Sequence, residues 1–212
     1  ANKYSKIKVL NSNQEIIDKS STIILGITPN VGNKILSKLN FTKNKKIISL
    51  ISTINTAKLK KLTKNKNIVR ATPLPPIEIK KGPIIICPPN KFAKDLFKHL
   101  GEVIEIKSEK LSYKFWATAS IMAAYYEILN ISSSWLIKKG INKTIANNYI
   151  AELFLSLSQD AVNKKSQGFK KLVADSQTPK GLNMQVLNEL KRSKFYSKFI
   201  KAMDNVNKRV SS

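Results

Sequence analysis

Thr22-Ile23-Ile24-Leu25-Gly26-Ile27-Thr28-Pro29-Asn30 decides the fold: an apolar, β-branched run stops at turn residues, and an amphipathic stretch follows at once. Short apolar runs bounded in this way read as buried strands. Lys46–Ser52 (KIISLIS), Ile68–Ala71 and Pro83–Cys87 (PIIIC) repeat the signal, and Val103–Ile106 adds a further short strand. Between them, Val31–Leu39 places Val31, Ile35, Leu36 and Leu39 on one helical face. Ala57–Leu62 reads as a second short helix, and Lys91–Leu100 as a third with Phe92, Leu96, Phe97 and Leu100 in line, stopped by Gly101. Strand alternating with helix predicts a parallel α/β sheet.

Beyond about Lys107 the rhythm changes. No Pro or Gly interrupts Tyr113–Lys139, which reads as one helix ended by Gly140. Asn142–Ala161 is another helix, followed by Gly168–Ala174, a helix opening at Thr178-Pro179, and a last one carrying Phe195, Phe199, Met203, Val206 and Val210. The expected division is therefore an α/β part over 1–108 and an all-helical part over 109–212. Trp116, Tyr125, Tyr126, Trp135 and Phe154 give the helical part apolar side chains on more than one face. A helical domain of this size completes its core by pairing with a second copy, so a homodimer is expected.

The whole chain has 212 residues, 42% of them hydrophobic, which is ample for a core. One Cys and one His exclude a disulfide scaffold and a zinc site, and no metal is expected. There is no run of 18 apolar residues, and Ala1-Asn2-Lys3-Tyr4 lacks the apolar core of a signal peptide, so the expectation is a cytoplasmic protein without a membrane partner. The formal charge of +25 invites a nucleic-acid reading. However, all the basic residues but Arg70, Arg192 and Arg209 are lysines, and they are scattered among Asn and Ile, which share A/T-rich codons. Arg is the usual bidentate grip on phosphate. The charge reads as genome composition on solvated faces, with nucleic acid a remote alternative. His99 reads as a surface residue and Cys87, after three isoleucines, as a small buried hydrophobe.

Two strand ends carry prolines: Gly26-Ile27-Thr28-Pro29-Asn30 and Arg70-Ala71-Thr72-Pro73-Leu74-Pro75-Pro76. In open α/β sheets the ligand crevice lies at the carboxyl ends of parallel strands. Thr178-Pro179-Lys180-Gly181-Leu182-Asn183 reads as a helix start, with Thr178 as cap and Pro179 at the first helical position. The same free amides would suit a carboxylate or phosphate, with Gly181 allowing close approach and Asn183 donating. No Ser-His-Asp or Cys-His set is evident, so no catalytic residue is assigned.

Together, Asn13-Gln14-Glu15, GITPN at 26–30, SLIST at 49–53, VRATPLPP at 69–76 and TPKGLNMQVL at 178–187 resemble pyrroline-5-carboxylate reductase. The counterparts there are an Asn before a helix, AVKPQ, SIAAG, VRAMPNTP and SPGGTT, in the same order. The resemblance covers essentially the whole chain and is closest to a divergent branch with a TPGGLN-type last motif. It implies a Rossmann-type domain for NADPH or NADH, followed by an all-α dimerisation domain. It also implies hydride transfer to the C=N carbon of a cyclic imine, giving proline, a reaction in which the protein chiefly positions two ligands. Carried over, Asn13, Ile27, Thr28, Pro29, Thr72 and Pro73 would bind the cofactor. Ser120 and the Thr178, Pro179, Gly181 and Asn183 segment would bind the substrate.

Thr28 stands in place of Lys, Leu74 of Asn, Lys180 of Gly and Asn183 of Thr, and SGSGPAY becomes roughly TASIMAA. These departures bear on which carboxylated imine is used. No glycine occurs before Gly26, so the strand and GxGxxG-type turn that open the family's domain have no counterpart. The expectation is an incomplete Rossmann-type domain, its first strands missing, in a fragment that alone binds dinucleotide poorly and is inactive. A catalytically silent dimerising relative is the alternative.

Overall fold

A computed structural model describes residues 5–211; the opening Ala1–Tyr4, discussed above for its lack of an apolar core, lies outside them. The chain falls into two units, one running up to Ala119 and taking in the last residues from Asn207, the other spanning Ser120–Val206. Among the described residues no helix is long and apolar enough to cross a membrane.

The first unit is a five-stranded sheet in the order β1-β2-β3-β4-β5. The strands are β1 (Thr22–Leu25), β2 (Lys46–Ser49), β3 (Ile68–Thr72), β4 (Pro83–Cys87) and β5 (Glu102–Glu105). The helices are α1 (Asn13–Lys19), α2 (Pro29–Ile35), α3 (Thr56–Thr63), α4 (Lys91–Phe97) and α5 (Glu109–Ala119). Every strand read from the sequence is present, shifted by two or three residues at most. Strands β1, β2 and β3 are parallel, as are β4 and β5, but β3 and β4 run antiparallel, with Arg70 opposite Cys87. The sheet is therefore mixed rather than parallel. A parallel return needs a crossover of a dozen or more residues, usually a helix. Between Thr72 and Pro83 there is only the 3₁₀ turn Pro75–Ile79, too short to carry the chain back across the sheet.

Alternation along the strands sends their side chains to two cores. Ile47 and Ile68 pack with Ile17, Ile23, Leu36, Ile54 and Leu59 on the face covered by α1 to α3. Ile48 and Val69 pack with Ile84, Ile86, Ala93 and Phe97 on the face covered by α4. Burying each such Ile contributes about 1.5–3 kcal/mol. The α4 stripe differs from the sequence reading. Ala93 and Phe97 are buried, whereas Phe92 and Leu96 are partly exposed. The small Ala93 allows close approach to the sheet, and the Phe92 ring instead receives the Lys46 ammonium 4.0 Å from its centre. His99 is exposed and Cys87 buried, as read from the sequence.

The second unit holds α6 (Met122–Lys138), α7 (Lys143–Lys164), α8 (Phe169–Asp175), α9 (Leu182–Arg192) and the beginning of α10 (Phe195–Ser211). Gly140 ends α6 at φ +93°: its N–H donates to Ile137 and that of Ile141 to Leu136, the paired bonds of a Schellman cap. The single helix expected over 113–139 is broken between α5 and α6, at Ser120–Ile121. No Pro or Gly causes the break. Thr118 Oγ1 donates back to the Lys114 carbonyl at 3.0 Å, a contact that bends helices, and the boundary between the two units falls one residue further on.

Lys64, Lys80, Lys180 and Lys194 hold left-handed backbone, with φ between 53° and 60°. Lys64 and Lys80 do so as the caps that close α3 and the Pro75–Ile79 turn.

Candidate functional site

The carboxyl ends of β1, β2 and β3 open onto a crevice of about 430 Å³ lined by Gly26, Ile27, Thr28, Pro29, Leu50, Ser52, Thr72 and Pro73. Each wall has a local cause. Thr28 is the N-cap residue of α2 and Pro29 its first residue, so strand β1 turns abruptly into helix there. Leu50 and Ser52 follow β2 on a loop that ends at Asn55, whose side chain caps α3 by accepting from Lys58 N at 2.8 Å. Thr72 ends β3, and Pro73 breaks the ladder beyond it.

Five residues singled out in the sequence thus meet at one place: Ile27, Thr28, Pro29, Thr72 and Pro73. Asn13 is not among the lining residues of this crevice. It is the first residue of α1, behind the cap Ser12, and borders a neighbouring apolar hollow with Gly26 and Ile27. Leu50 and Ser52, which sequence reasoning passed over, complete the wall; the SLIST run carried them, but nothing in it marked these two apart from their neighbours.

Arg70, deep in β3 and 3% exposed, lies under this wall. Its Nη2 donates to the carbonyls of Ile51 at 3.1 Å and Ser52 at 2.6 Å, and its Nη1 donates to Glu109 Oε1 at the start of α5. The same Glu109 oxygen accepts from Thr56 N at 2.8 Å and Thr56 Oγ1 at 2.9 Å. The guanidinium stacks 4.2 Å from the Trp116 ring centre and 5.7 Å from that of Tyr113. Arg70 Nε and Trp116 Nε1 are buried donors without a partner. Burial pushes the Tyr113 hydroxyl above its usual range, and the nearby Glu109 carboxylate adds to the shift. Burial likewise raises the Cys87 thiol, with Glu109 raising it further and Arg70 opposing.

The residues expected to hold substrate lie in the second unit. Ser120 stands at the α5–α6 break. Thr178 is not a helix cap and Pro179 is not a first helical residue, because α9 begins only at Leu182 with Gly181 as its N-cap. Thr178–Gly181 forms a turn instead, closed by Gly181 N donating to the Thr178 carbonyl at 2.8 Å. Proline at the second position and positive φ at Lys180 are the marks of a type II turn, which outcompetes helix initiation here. A Cβ on Gly181 would lie 2.2 Å from Thr178 Oγ1, so with Thr178 in place this position favours glycine. The Asn183 side-chain amide donates to the Ser176 carbonyl at 2.9 Å and so pins the start of α9 to the preceding loop.

Residues 110–212 match the family model described as pyrroline-5-carboxylate reductase dimerisation. Among solved structures, the chain is similar to a 1-pyrroline-5-carboxylate reductase from Streptococcus pyogenes, at 23% identity and a TM-score of 0.83, covering 94% of this chain and 79% of that one. A Plasmodium falciparum pyrroline carboxylate reductase with NADP bound gives 22% identity and a TM-score of 0.84, covering 95% and 80%. One from Coxiella burnetii gives 22% identity and a TM-score of 0.75, covering 95% and 79%. No curated protein sequence matches the chain. Residues 110–212 thus match a pyrroline-5-carboxylate reductase dimerisation domain, and the chain shares the fold of these solved structures, a Rossmann-like sheet unit followed by an all-helical part.

Proposed function

We propose that this protein is an NAD(P)H-dependent imine reductase that converts pyrroline-5-carboxylate into proline, acting in the cytoplasm as a homodimer or higher homo-oligomer. The observation that carries the reading is the crevice at the ends of β1, β2 and β3, where Ile27, Thr28, Pro29, Thr72 and Pro73 converge. Its lining mixes the hydroxyls of Thr28, Ser52 and Thr72 with the apolar faces of Ile27, Leu50, Pro29 and Pro73. That combination fits a flat nicotinamide ring with a polar carboxamide at its edge. The NADP-bound Plasmodium falciparum relative supports a dinucleotide as cofactor.

When bound, the reduced nicotinamide supplies the hydride that adds to the C=N carbon, while the imine nitrogen carries a proton. The residues of this chain bind and orient. Proline rings and Ile27 give the ring an apolar wall, and the three hydroxyls give its amide partners. Asn13 contributes on the nucleotide side. Ser120 and the Thr178, Pro179, Gly181 and Asn183 segment hold the imine carboxylate, through the Ser120 and Thr178 hydroxyls and the first backbone amides of α9, that of Asn183 among them. The dinucleotide part extends over 1–108 and the dimerisation and substrate part over 109–212, for which the match to a dimerisation domain gives support.

The test is imine-dependent oxidation of NADPH and NADH by the protein made from its complete reading frame. Turnover with pyrroline-5-carboxylate is expected; dinucleotide binding without turnover of any imine would leave the silent dimerising relative. One observation favours a second substrate. Asn183, where the family has a substrate-contacting Thr, spends its side-chain amide on the Ser176 carbonyl. A panel of other cyclic carboxylated imines therefore belongs in the assay, and a higher kcat/KM for one of them would reassign the substrate while keeping the reaction.

A further inference from the structure

A guanidinium buried in a sheet is costly unless each of its charged and polar demands is met, and apolar replacements of buried ion pairs often stabilise. Arg70 keeps this arrangement at 3% exposure, with one donor, Nε, still unpartnered. What the arrangement does achieve is geometric. Its Nη2 grips two successive carbonyls, Ile51 and Ser52, on the loop after β2. Its Nη1 holds Glu109, and Glu109 in turn holds the backbone N–H and the hydroxyl of Thr56, where α3 begins. The loop is thereby fastened at both ends to β3 and α5. Ser52 is a wall of the crevice, and so is Thr72, two residues along β3 from Arg70. Side chains two apart on a strand share a face. One guanidinium thus sets the separation between the Ser52 and Thr72 sides of the crevice, while Trp116 and Tyr113 close over it and keep water from competing for its donors.

We propose that Arg70 and Glu109 are positioning residues that fix the width of the crevice for the nicotinamide end of the dinucleotide, acting through the Ile51–Ser52 carbonyls and Thr56. This rests on the crevice being the dinucleotide site. Lys cannot reproduce the grip, since a single ammonium does not reach two carbonyls and a carboxylate in one plane.

The experiment compares Arg70→Lys and Glu109→Gln with wild type, all made from the complete reading frame. Glu109→Gln is the gentler change, because its amide oxygen still accepts from Thr56. Three readouts are taken: KM for NADPH and for the imine with kcat, the urea midpoint, and amide exchange over residues 51–57. The expected result is a tenfold or greater rise in dinucleotide KM in both variants, with imine KM within twofold of wild type. Exchange over 51–57 should be at least tenfold faster while both variants still melt cooperatively. Unchanged dinucleotide KM in a folded variant would overturn the proposal. So would a fall in activity that merely tracks the folded fraction, or wild-type exchange rates in the loop. If wild type itself binds no dinucleotide, the reductase reading fails and the ligand assigned here falls with it. The exchange data then separately decide whether Arg70 and Glu109 hold the loop.

Discussion

The two units of this chain solve the problem of burial in opposite ways. In the sheet unit, Leu36, Ile47, Ile48, Ile51, Ile54, Leu59, Ile84 and Ile86 are essentially sealed from solvent. In Ser120–Val206, Ala146 and Ile150 are the buried apolar residues among those described. Trp135, Ile145, Tyr149, Leu155, Leu157, Leu182 and Val186, on α6, α7 and α9 of the same unit, all stand more than half exposed. A sheet covered on both faces closes its core within one chain. Helices carrying this much apolar surface do not, and exposed surface of that extent marks an interface. The match of residues 110–212 to a dimerisation domain supports homo-oligomerisation, which would cover surface of this kind.

The largest effect expected from this contrast is on concentration dependence. Melting followed by far-ultraviolet dichroism should show the helical signal rising by several degrees for each tenfold increase in protein, since association stabilises by mass action. A midpoint independent of concentration, with a monomer mass by light scattering, would break the contrast outright.

A core substitution on the sheet side should behave differently. Ile84→Ala, at a position with no exposure, is expected to cost about 2–5 kcal/mol in urea unfolding, whatever the protein concentration. Tyr149→Ala, more than half exposed in the single chain, should instead shift the dimer dissociation constant and leave the sheet unit's stability alone.

Smaller and more local is Gly181→Ala, whose new methyl would sit 2.2 Å from Thr178 Oγ1. It should cost about 1–3 kcal/mol through strain in the turn. Adding Thr178→Ala should recover much of that loss, measured as protection of the first amides of α9. No recovery would mean that the turn is not held by this contact.

The smallest effect is a pH dependence. The Cys87 thiol is raised by burial in the native state, so the neutral thiol stabilises the fold fully below the unfolded thiol value of about 8.5. That contribution is lost as pH rises toward the native value. Stability against urea should therefore decline on the alkaline side, more steeply in wild type than in Cys87→Ala. The thiol should also react with disulfide reagents at neutral pH only as fast as the protein unfolds. Equal slopes in the two proteins would assign the alkaline loss elsewhere.

Most of the sheet was legible because β-branched runs such as Pro83–Cys87 have few other uses. Strand direction was not, since the Ile84–Ile86 run reads alike in either sense, and only the short 75–79 connection decides it. The break at Ser120–Ile121 carries no Pro or Gly to mark it, and a Thr hydroxyl bonded back to the preceding turn, as Thr118 is, is a weak signal in sequence. The crevice was visible in part, as two proline-marked strand ends. Arg70 and Glu109, 39 residues apart, were not, since no periodicity links a strand centre to a distant helix start. The turn at Thr178 shows a local rule misapplied: Thr-Pro is a good helix start, but it is also a good β-turn, and Asn183 anchored to Ser176 goes with the second.

The four lysines in left-handed backbone have a practical consequence. At such positions an L side chain costs about 1–2 kcal/mol that glycine avoids, less glycine's own entropic cost of about 0.5–1 kcal/mol. Lys64, Lys80 and Lys194 lie outside both candidate ligand segments. Replacing these three by glycine would strip three charges from a formal +25 and relieve backbone strain in the same step. A protein so altered would be less prone to adventitious polyanion binding, with the crevice residues untouched.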